Sequence, residues 1–402
     1  MNKLRILVRK FEPFEIIVRQ FWEQYEQKQR PELSLELVSL DLPELHEAIL
    51  EGDFDIAHVN TDWMAQCNKQ NVLEDLTPYI NNDPPSGYPQ DWTPGLLSLQ
   101  TFDKKVLGIP FHDGPECMIY RKDLFQDPGE KSIYKKRYGT ELKPPETWDE
   151  FFQAAEFFNR PEKNLYGTVF ALFPDGHNNI FDFSLQVWSR GGSLTDQEGN
   201  ILVNSSEAIR AMKFYRCLLN QSFIHPGSKD FDSIGSCWAF ARGEVALMVN
   251  WFGFATVCET DRESKVRGSV DIMPIPHAEG FNERVSLNVY YTWSVSSKSR
   301  NKNVAYNYIL NATTKENDIK LTLNGAIGCR KTTWFDPQIN KLIPYYNKMD
   351  DIHNYARTLP RVPNWHDVSA IIDRLVLDVT NTERPVEEIL NQAQIEIDLL
   401  KS

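Results

Sequence analysis

The sequence predicts an α/β fold in which helices cover the faces of a mostly parallel sheet. About the first 60 residues alternate strand and helix patterns in the order β-α-β-α-β, the order that builds parallel sheets. The chain has 402 residues, too many for a single hydrophobic core, so two domains are expected.

The periodicity of apolar residues supports each of these first elements. KLRILV reads as a strand, LSLELV alternates as a second strand, and FDIAHV predicts a third. LPELHEAILEG, between the second and third strands, predicts a short helix that ends at Gly52. The apolar residues between the first two strands share one helical face, namely Phe14, Ile17, Val18, Phe21, Trp22 and Tyr25.

The later sequence continues the mixture of helices and strands. PPETWDEFFQAAEFF has Thr147 in the N-cap position and Glu150 three residues later, which is a capping box. FDFSLQVWSRGGSL predicts a helix closed by glycine, and FARGEVALMVNWFG predicts a helix end followed by a buried strand. The closing helix places apolar residues on one face, namely Val386, Ile389, Leu390, Ala393, Ile397 and Leu400.

Charge and motif content argue against several classes of function. The net charge of −13 disfavours nucleic-acid binding, which needs a basic surface to neutralise phosphates. Six cysteines lie apart without CxxC spacing, so no zinc or other metal site is expected. The chain has no HExxH, GxSxG, P-loop or GxGxxG motif, and we therefore expect no catalytic residues and no cofactor.

No stretch of the sequence predicts a membrane span or a leader. The most apolar stretch, CWAFARGEVALMVNWFGFATVC, carries Arg242 and Glu244. The N-terminal MNKLRILVRKFEPFE has too short an apolar core for a signal peptide. A cytoplasmic protein is expected if the chain is complete.

Nine motifs then follow one another over nearly the whole chain. They are VLEDLTPYI, GIPFHDGPECMIYRKDLF, PPETWDEFFQAA, WSRGGSLTDQEGN, FARGEVALMVNWFG, DIMPIP, YTWSVSSKSRNKNVAYNYI, GAIGCRKT and RPVEEILNQAQIEID. In this order they resemble the extracellular solute-binding proteins of ABC transporters, in the sugar-binding group that includes the maltose-binding protein.

The resemblance implies a periplasmic-binding-protein type II-like fold, with two lobes joined by a hinge and a ligand cleft between them. Lobe 1 is predicted at residues 1–110 and 275–325, and lobe 2 at residues 111–274 and 326–402. The implied function is a non-catalytic, monomeric carbohydrate-binding protein. It would close around a sugar or small oligosaccharide and deliver it to the permease subunits of an ABC importer. The implied location is periplasmic or extracellular.

The polar residues in the middle of GIPFHDGPECMIYRKDLF have two interpretations. Asp113-Gly114-Pro115 favours a turn between two apolar strands, so the first interpretation is a solvated loop. The resemblance favours the other, a crossing between lobes in which His112, Asp113 and Glu116 face a ligand.

Tryptophans supply the second class of predicted ligand contacts, because a sugar ring stacks on a flat aromatic side chain while polar groups hold its edge. Trp63 and Trp251 each follow a predicted strand, although the hydrophobic core remains an alternative for both. Arg330 is expected either to bind the ligand or to pair with a nearby aspartate. Asp175 either reaches the cleft or forms a turn. The predicted ligand-binding residues are Asn60, Asp62, Trp63, His112, Asp113, Glu116, Trp188, Trp251, Tyr291, Trp293, Arg330 and Trp365.

Two alternative functions remain open from the sequence. A cytoplasmic sugar sensor of the same fold would explain why no leader is seen. A carbohydrate-active hydrolase would use a pair of carboxylates such as Asp113 and Glu116, but any acidic chain offers such pairs.

Overall fold

The computed structural model describes residues 3–29, 32–174 and 176–400. The chain forms two compact units, each assembled from stretches that are separated in sequence. Unit 1 comprises Met1–Gly114, Val289–His353 and Arg361–Trp365. Unit 2 comprises Pro115–Asn288, Asn354–Pro360 and His366–Ser402.

These units differ from the predicted lobes in the segment 326–353, which packs into unit 1 rather than into the second lobe. The backbone N–H groups of Cys329 and Arg330 donate to the buried carboxylate of Asp318, at 3.0 and 3.2 Å. Buried hydrogen bonds to a carboxylate are costly to break, and they hold this segment against unit 1.

Strands and helices are numbered separately along the chain. The strands are β1 (Lys3–Arg9), β2 (Ser34–Leu40), β3 (Ile56–Asn60), β4 (Thr101–Phe102), β5 (Lys105–Val106), β6 (Ile109–His112), β7 (Glu116–Arg121), β8 (Tyr166–Val169), β9 (Val245–Trp251), β10 (Val270–Met273), β11 (Ser286–Leu287), β12 (Tyr291–Val295) and β13 (Ala356–Arg357). The helices are α1 (Glu12–Gln29), α2 (Leu42–Glu51), α3 (Met64–Gln70), α4 (Thr77–Asn82), α5 (Pro94–Leu99), α6 (Lys122–Gln126), α7 (Pro128–Tyr138), α8 (Trp148–Phe158), α9 (Asn178–Trp188), α10 (Ser206–Leu219), α11 (Ser233–Ala241), α12 (Phe252–Thr260), α13 (Lys302–Ala312), α14 (Lys315–Leu323), α15 (Lys331–Trp334), α16 (Pro337–Leu342), α17 (Met349–His353), α18 (Trp365–Asn381) and α19 (Val386–Leu399).

The sheet of unit 1 has the strand order β2-β1-β3-β12-β6. β1 pairs in parallel with β2 and β3, whereas β12 runs antiparallel to both of its neighbours, β3 and β6. Side chains alternate along β1, so Leu4, Ile6 and Val8 join one hydrophobic cluster and Leu7 joins another. The sheet therefore buries a core on each face, as an α/β fold does.

Helix α1 confirms the periodicity seen in the sequence, because every residue of its predicted apolar face is buried. These side chains join the cluster that contains Leu4, Ile6 and Val8. The predicted capping box also forms, with the Thr147 side chain accepting from the backbone N–H of Glu150. The apolar face of α19 is buried except for Leu400, which is 40% exposed.

The sheet of unit 2 has the strand order β10-β7-β9-β8. β7 is antiparallel to both β10 and β9, and β8 runs parallel to β9. Residues 275–288, predicted in lobe 1, belong to unit 2. They are held there because Ser286 Oγ donates to the backbone carbonyl of Glu116, and because β11 pairs with β13.

The described residues contain neither a membrane-spanning helix nor a cluster of metal ligands. None of their helices is long and apolar enough to cross a membrane. No three of their histidine, cysteine, aspartate or glutamate side chains lie close enough together to hold a metal ion.

Candidate ligand-binding site

Three of the predicted ligand contacts lie side by side at one end of the unit 1 sheet. Asn60 is the last residue of β3, His112 is the last residue of β6, and Tyr291 is the first residue of β12. Tyr291 is paired with Asn60 on one side and with His112 on the other. Because β12 runs antiparallel to both neighbours, its first residue meets their last residues at the same sheet edge. The fold thus gathers polar groups from three distant parts of the chain.

The hydrogen bonds of His112 and the pKa values of His112 and Tyr291 determine which of their atoms carry a proton. His112 Nδ1 accepts from the backbone N–H of Ile327 at 3.0 Å, which puts the proton of the neutral ring on Nε2. Burial lowers the pKa of His112 to about 4, so the ring is neutral at pH 7. Burial also raises the pKa of the half-buried Tyr291 to about 12. A neutral imidazole and a phenol can both hydrogen-bond with the hydroxyl groups of an uncharged ligand.

Asp113 follows β6 and is largely engaged inside unit 1. Its Oδ2 lies 2.6 Å from Nε2 of His353, and this imidazole stacks on the indole of Trp334 with the ring centroids 4.9 Å apart. Its backbone N–H donates to the carbonyl of Ile327 at 3.1 Å. The other carboxylate oxygen, Oδ1, is buried without a hydrogen-bond partner among the described residues. Contact of Asp113 with a ligand stays a prediction.

Asp62 and Trp63 lie on the 3-10 turn Thr61–Trp63 that follows β3. Asp62 is half-buried, and its backbone N–H donates to Oδ1 of Asn60 at 3.3 Å. Trp63 is only 6% exposed and packs against the imidazole of His46, with ring centroids 4.8 Å apart. It also belongs to the hydrophobic cluster that contains Leu7. Its visible role is packing, and stacking on a sugar stays a prediction.

In unit 2, Glu116 and Trp251 are direct partners on adjacent strands. Glu116 begins β7, Trp251 ends β9, and the two are paired in the antiparallel ladder. Trp251 is half-buried, and its indole meets the ring of Phe181 edge to face at 5.1 Å. Glu116 is 5% exposed. A carboxyl group therefore lies beside a partly open aromatic ring, the combination that suits a sugar.

A further carboxyl group in this region, that of Asp182, was missed by the sequence analysis. Asp182 lies on α9, and Tyr215 Oη of α10 donates to its Oδ2 at 2.5 Å. Burial raises the pKa of Asp182 to about 7, against the opposing effect of the hydrogen bond from Tyr215. Burial and the nearby Asp182 raise the pKa of Glu116 as well. The signal that could have found Asp182 is a carboxylate near the start of a helix that follows the end of β8.

The stability of the protein should depend on pH through the carboxyl group of Asp182. A carboxyl whose folded-state pKa exceeds its unfolded value contributes stability below the unfolded value and loses it as pH rises through the folded value. For Asp182 this window runs from 3.8 to about 7. We expect Asp182→Asn, which keeps an acceptor for Tyr215, to gain stability relative to the wild type across that window. Thermal melts of both proteins at several pH values measure the difference.

The control for this series is Asp230→Asn, which alters an exposed aspartate of the same unit. Comparison with the wild type at the same pH cancels the effects of groups that do not interact with Asp182. The pKa of Glu116 is raised by Asp182, so the change at Glu116 is part of the measured difference. If the difference in melting temperature between Asp182→Asn and the wild type stayed constant from pH 4 to 8, the pKa of Asp182 would not be raised.

The guanidinium of Arg330 is engaged within unit 1. Nε lies 2.7 Å from Oδ2 of Asp91. Nη1 donates to the carbonyl of Thr313 at 2.7 Å, and Nη2 donates to the carbonyl of Ser86 at 2.6 Å. The group also lies over the indole of Trp92, 4.5 Å from its centroid. Of the two roles left open by the sequence, pairing with an aspartate is the one the structure shows.

The prediction that Trp293 contacts the ligand is wrong, because this residue is fully buried in the core of unit 1. Its indole packs against the rings of His58 and Phe111, with centroids 4.3 and 4.4 Å away. Trp293 lies two residues beyond Tyr291 on the same face of β12. That distance is enough to move it from the sheet edge into the interior.

Two further predicted contacts are buried, and one residue cannot be placed. Trp188 ends α9 and is 4% exposed, and Trp365 begins α18 and is 3% exposed. Contact of either with a ligand stays a prediction. Asp175 lies outside the described residues.

The sequence places this chain among known proteins. Residues 12–319 match the sequence profile of the bacterial extracellular solute-binding proteins. The chain belongs to this family. A family relative of Brucella abortus (strain 2308), a binding protein, is 22% identical over 380 residues, which cover 92% of this chain and 85% of its own. The maltotriose-binding protein of Pyrococcus abyssi (strain GE5 / Orsay) is 23% identical over 359 residues, 84% of this chain and 68% of its own.

Solved structures of solute-binding proteins share the fold. A ribitol complex from Agrobacterium radiobacter superposes with a TM-score of 0.86 at 21% identity, covering 99% of this chain and 98% of its own. The maltose-bound MalE3 of T. maritima gives a TM-score of 0.84 at 22% identity, with both chains fully covered at 100%. These likenesses confirm the predicted type II periplasmic-binding-protein fold, and the family consists of binding proteins rather than enzymes.

Proposed function

We propose that this solute-binding protein binds a carbohydrate without transforming it and delivers it to the permease subunits of an ABC importer. The observation that carries the proposal is the pairing of Glu116 with the half-buried Trp251. An indole offers a flat apolar surface to the C–H face of a sugar ring, while a carboxyl group meets the hydroxyls at its edge. Asn60, His112 and Tyr291 of unit 1 would supply further polar contacts.

The ligand class is proposed from two lines of support. Relatives with assigned ligands include the maltotriose-binding protein and a lactose-binding protein of Rhizobium radiobacter, which is 20% identical over 271 residues, 66% of this chain and 60% of its own. Structural neighbours hold maltose or ribitol. Neither Glu116 nor Asp182 brings a positive charge that would balance an anionic ligand, and Asp182 would repel one once it ionises, above about pH 7. We therefore propose a neutral sugar, small oligosaccharide or polyol, and not a uronate.

The proposed place of action is outside the cytoplasmic membrane, where the family works, with the protein as a monomer. A binding protein for an importer must release its ligand again, so affinity rather than turnover is the property to measure. The partner would be a membrane transporter that recognises the ligand-bound form.

A thermal-shift screen against a panel of sugars and polyols tests the proposal. A ligand that binds only the folded state raises the melting temperature by mass action. We expect at least one neutral carbohydrate to raise it and galacturonate to leave it unchanged. Chromatography of the recovered carbohydrate should show no product. A melting temperature that no member of the panel changes, or a sugar that is converted, would count against the proposal.

Ligand binding should also compact the protein. We expect a saturating sugar to draw the two units together, as in hinge closure, and so to lower the radius of gyration. Small-angle scattering with and without the sugar measures this. The matched control is a carbohydrate that gave no thermal shift, which should leave the scattering curve unchanged. An unchanged radius of gyration at saturation with the binding sugar would argue against closure.

A further inference from the structure

Two buried cysteines of unit 2 have their sulfur atoms close to the same backbone carbonyl oxygen. Cys237 is on α11 and Cys258 is on α12, and their exposed fractions are 1% and 0%. The Sγ atoms approach the same acceptor, the carbonyl oxygen of Phe254, at 3.8 Å for Cys237 and 3.4 Å for Cys258. Interaction with the Cys237 side chain raises the pKa of the Cys258 thiol, as expected for neighbouring side chains. Two buried sulfur atoms that meet the same carbonyl oxygen are placed for a covalent bond with each other.

The segment between these cysteines contains strand β9. The chain leaves α11, runs through β9 and returns in α12. A bond between Cys237 and Cys258 would therefore close a loop of about 20 residues around the strand that ends at Trp251. Closing such a loop removes conformational freedom from the unfolded chain and so favours the folded state.

The extracellular location of the family gives a chemical reason to expect a disulfide between these cysteines. Extracellular and periplasmic proteins fold in oxidising surroundings, where disulfides form and persist. Both cysteines are free thiols in the structure. We infer that Cys237 and Cys258 form a disulfide when the protein folds in the presence of an external disulfide.

The reaction balances as two thiol–disulfide exchanges. The thiolate of one cysteine attacks the external disulfide, forms a mixed disulfide and releases one small thiolate. The second cysteine thiolate then attacks the protein sulfur of the mixed disulfide and releases the second small thiolate. The Cys237–Cys258 bond is formed, the external disulfide is reduced to two thiols, and the protons of the protein thiols end on these products.

Burial of the two thiols decides when the disulfide is expected to form. Interaction with the Cys237 side chain, together with burial, raises the pKa of the Cys258 thiol, which disfavours the reactive thiolate in the folded protein. The bond is therefore expected to form during folding, before α11 and α12 enclose the sulfur atoms. Protein that has folded in the reduced state should react slowly.

The test is refolding of the full chain from denaturant in a buffer of reduced and oxidised glutathione, followed by alkylation of the remaining thiols and digestion with trypsin. Cleavage after Arg242 separates the two cysteines into peptides 230–242 and 243–262. We expect these peptides to be joined in the oxidised sample and separate after reduction. Alkylation of all six cysteines, or a joined pair from other positions, would overturn the inference.

Stability provides an independent readout. The oxidised protein should melt about 5 °C higher than the reduced protein. Cys258→Ser should lose this difference, whereas Cys217→Ser, a change at the exposed cysteine, should keep it. If Cys258→Ser does not fold, the joined peptides of the wild-type chain decide the question alone. Equal melting temperatures for the oxidised and reduced wild type would contradict the proposed bond.

Discussion

Arg330→Met is expected to destabilise the protein by about 3–5 kcal/mol, the usual cost of breaking a buried ion pair by removing one partner. The substitution would leave the buried carboxylate of Asp91 without its cation, which lies 2.7 Å away in the wild type. It would also leave the carbonyls of Thr313 and Ser86 without their donors. Urea denaturation followed by fluorescence measures the loss, and sugar affinity of the folded molecules should be unchanged.

The neighbouring Lys331 offers a matched control. Its Nζ lies 3.7 Å from a carboxylate oxygen of Asp350, and both side chains are well exposed, at 38% and 41%. A surface pair of this kind contributes about 0–1 kcal/mol, so Lys331→Met should change stability little. A stable Arg330→Met protein with weakened sugar binding would mean that Arg330 serves the ligand after all.

Trp251→Ala is expected to weaken sugar binding by about 2 kcal/mol, roughly thirtyfold, because the stacking surface is removed. The fold should survive, since Trp251 is half-buried at a strand end and its removal leaves no sealed cavity. Calorimetric titration and thermal melting of the same preparations separate the two effects.

The control for this variant is Trp238→Ala, which removes a half-buried tryptophan from α11 of the same unit. Its affinity for the sugar should equal that of the wild type. If Trp251→Ala instead lost roughly 3–5 kcal/mol of stability with affinity intact, Trp251 would be a core residue. Trp63, which also follows a strand, would then be expected to serve packing alone.

Local periodicity predicted the parts of the fold that depend on neighbouring residues. The apolar face of α1 and the capping box at Thr147 are local patterns, and both appear in the structure as expected. Asn60 was selected from its place at a strand end, whereas His112 and Tyr291 were selected from the crossing regions that the resemblance implies. The sheet places all three side by side.

The misjudged residues depend on information that local sequence does not carry. Tyr291 and Trp293 share a face of β12, and only the start of the strand decides which of them reaches the sheet edge. Arg330 was left open because its partner Asp91 lies more than 200 residues away in sequence, and one sequence does not reveal such a pair. Asp182 was missed because its position beside Tyr215 depends on how α9 and α10 pack.

Calorimetric titration of the wild-type protein with the neutral carbohydrate that gives the largest thermal shift tests whether the protein binds a sugar without transforming it. We expect saturable binding of one carbohydrate molecule per chain, with the carbohydrate recovered chemically unchanged. Absence of saturable heat at any temperature, or conversion of the carbohydrate to product, would contradict it.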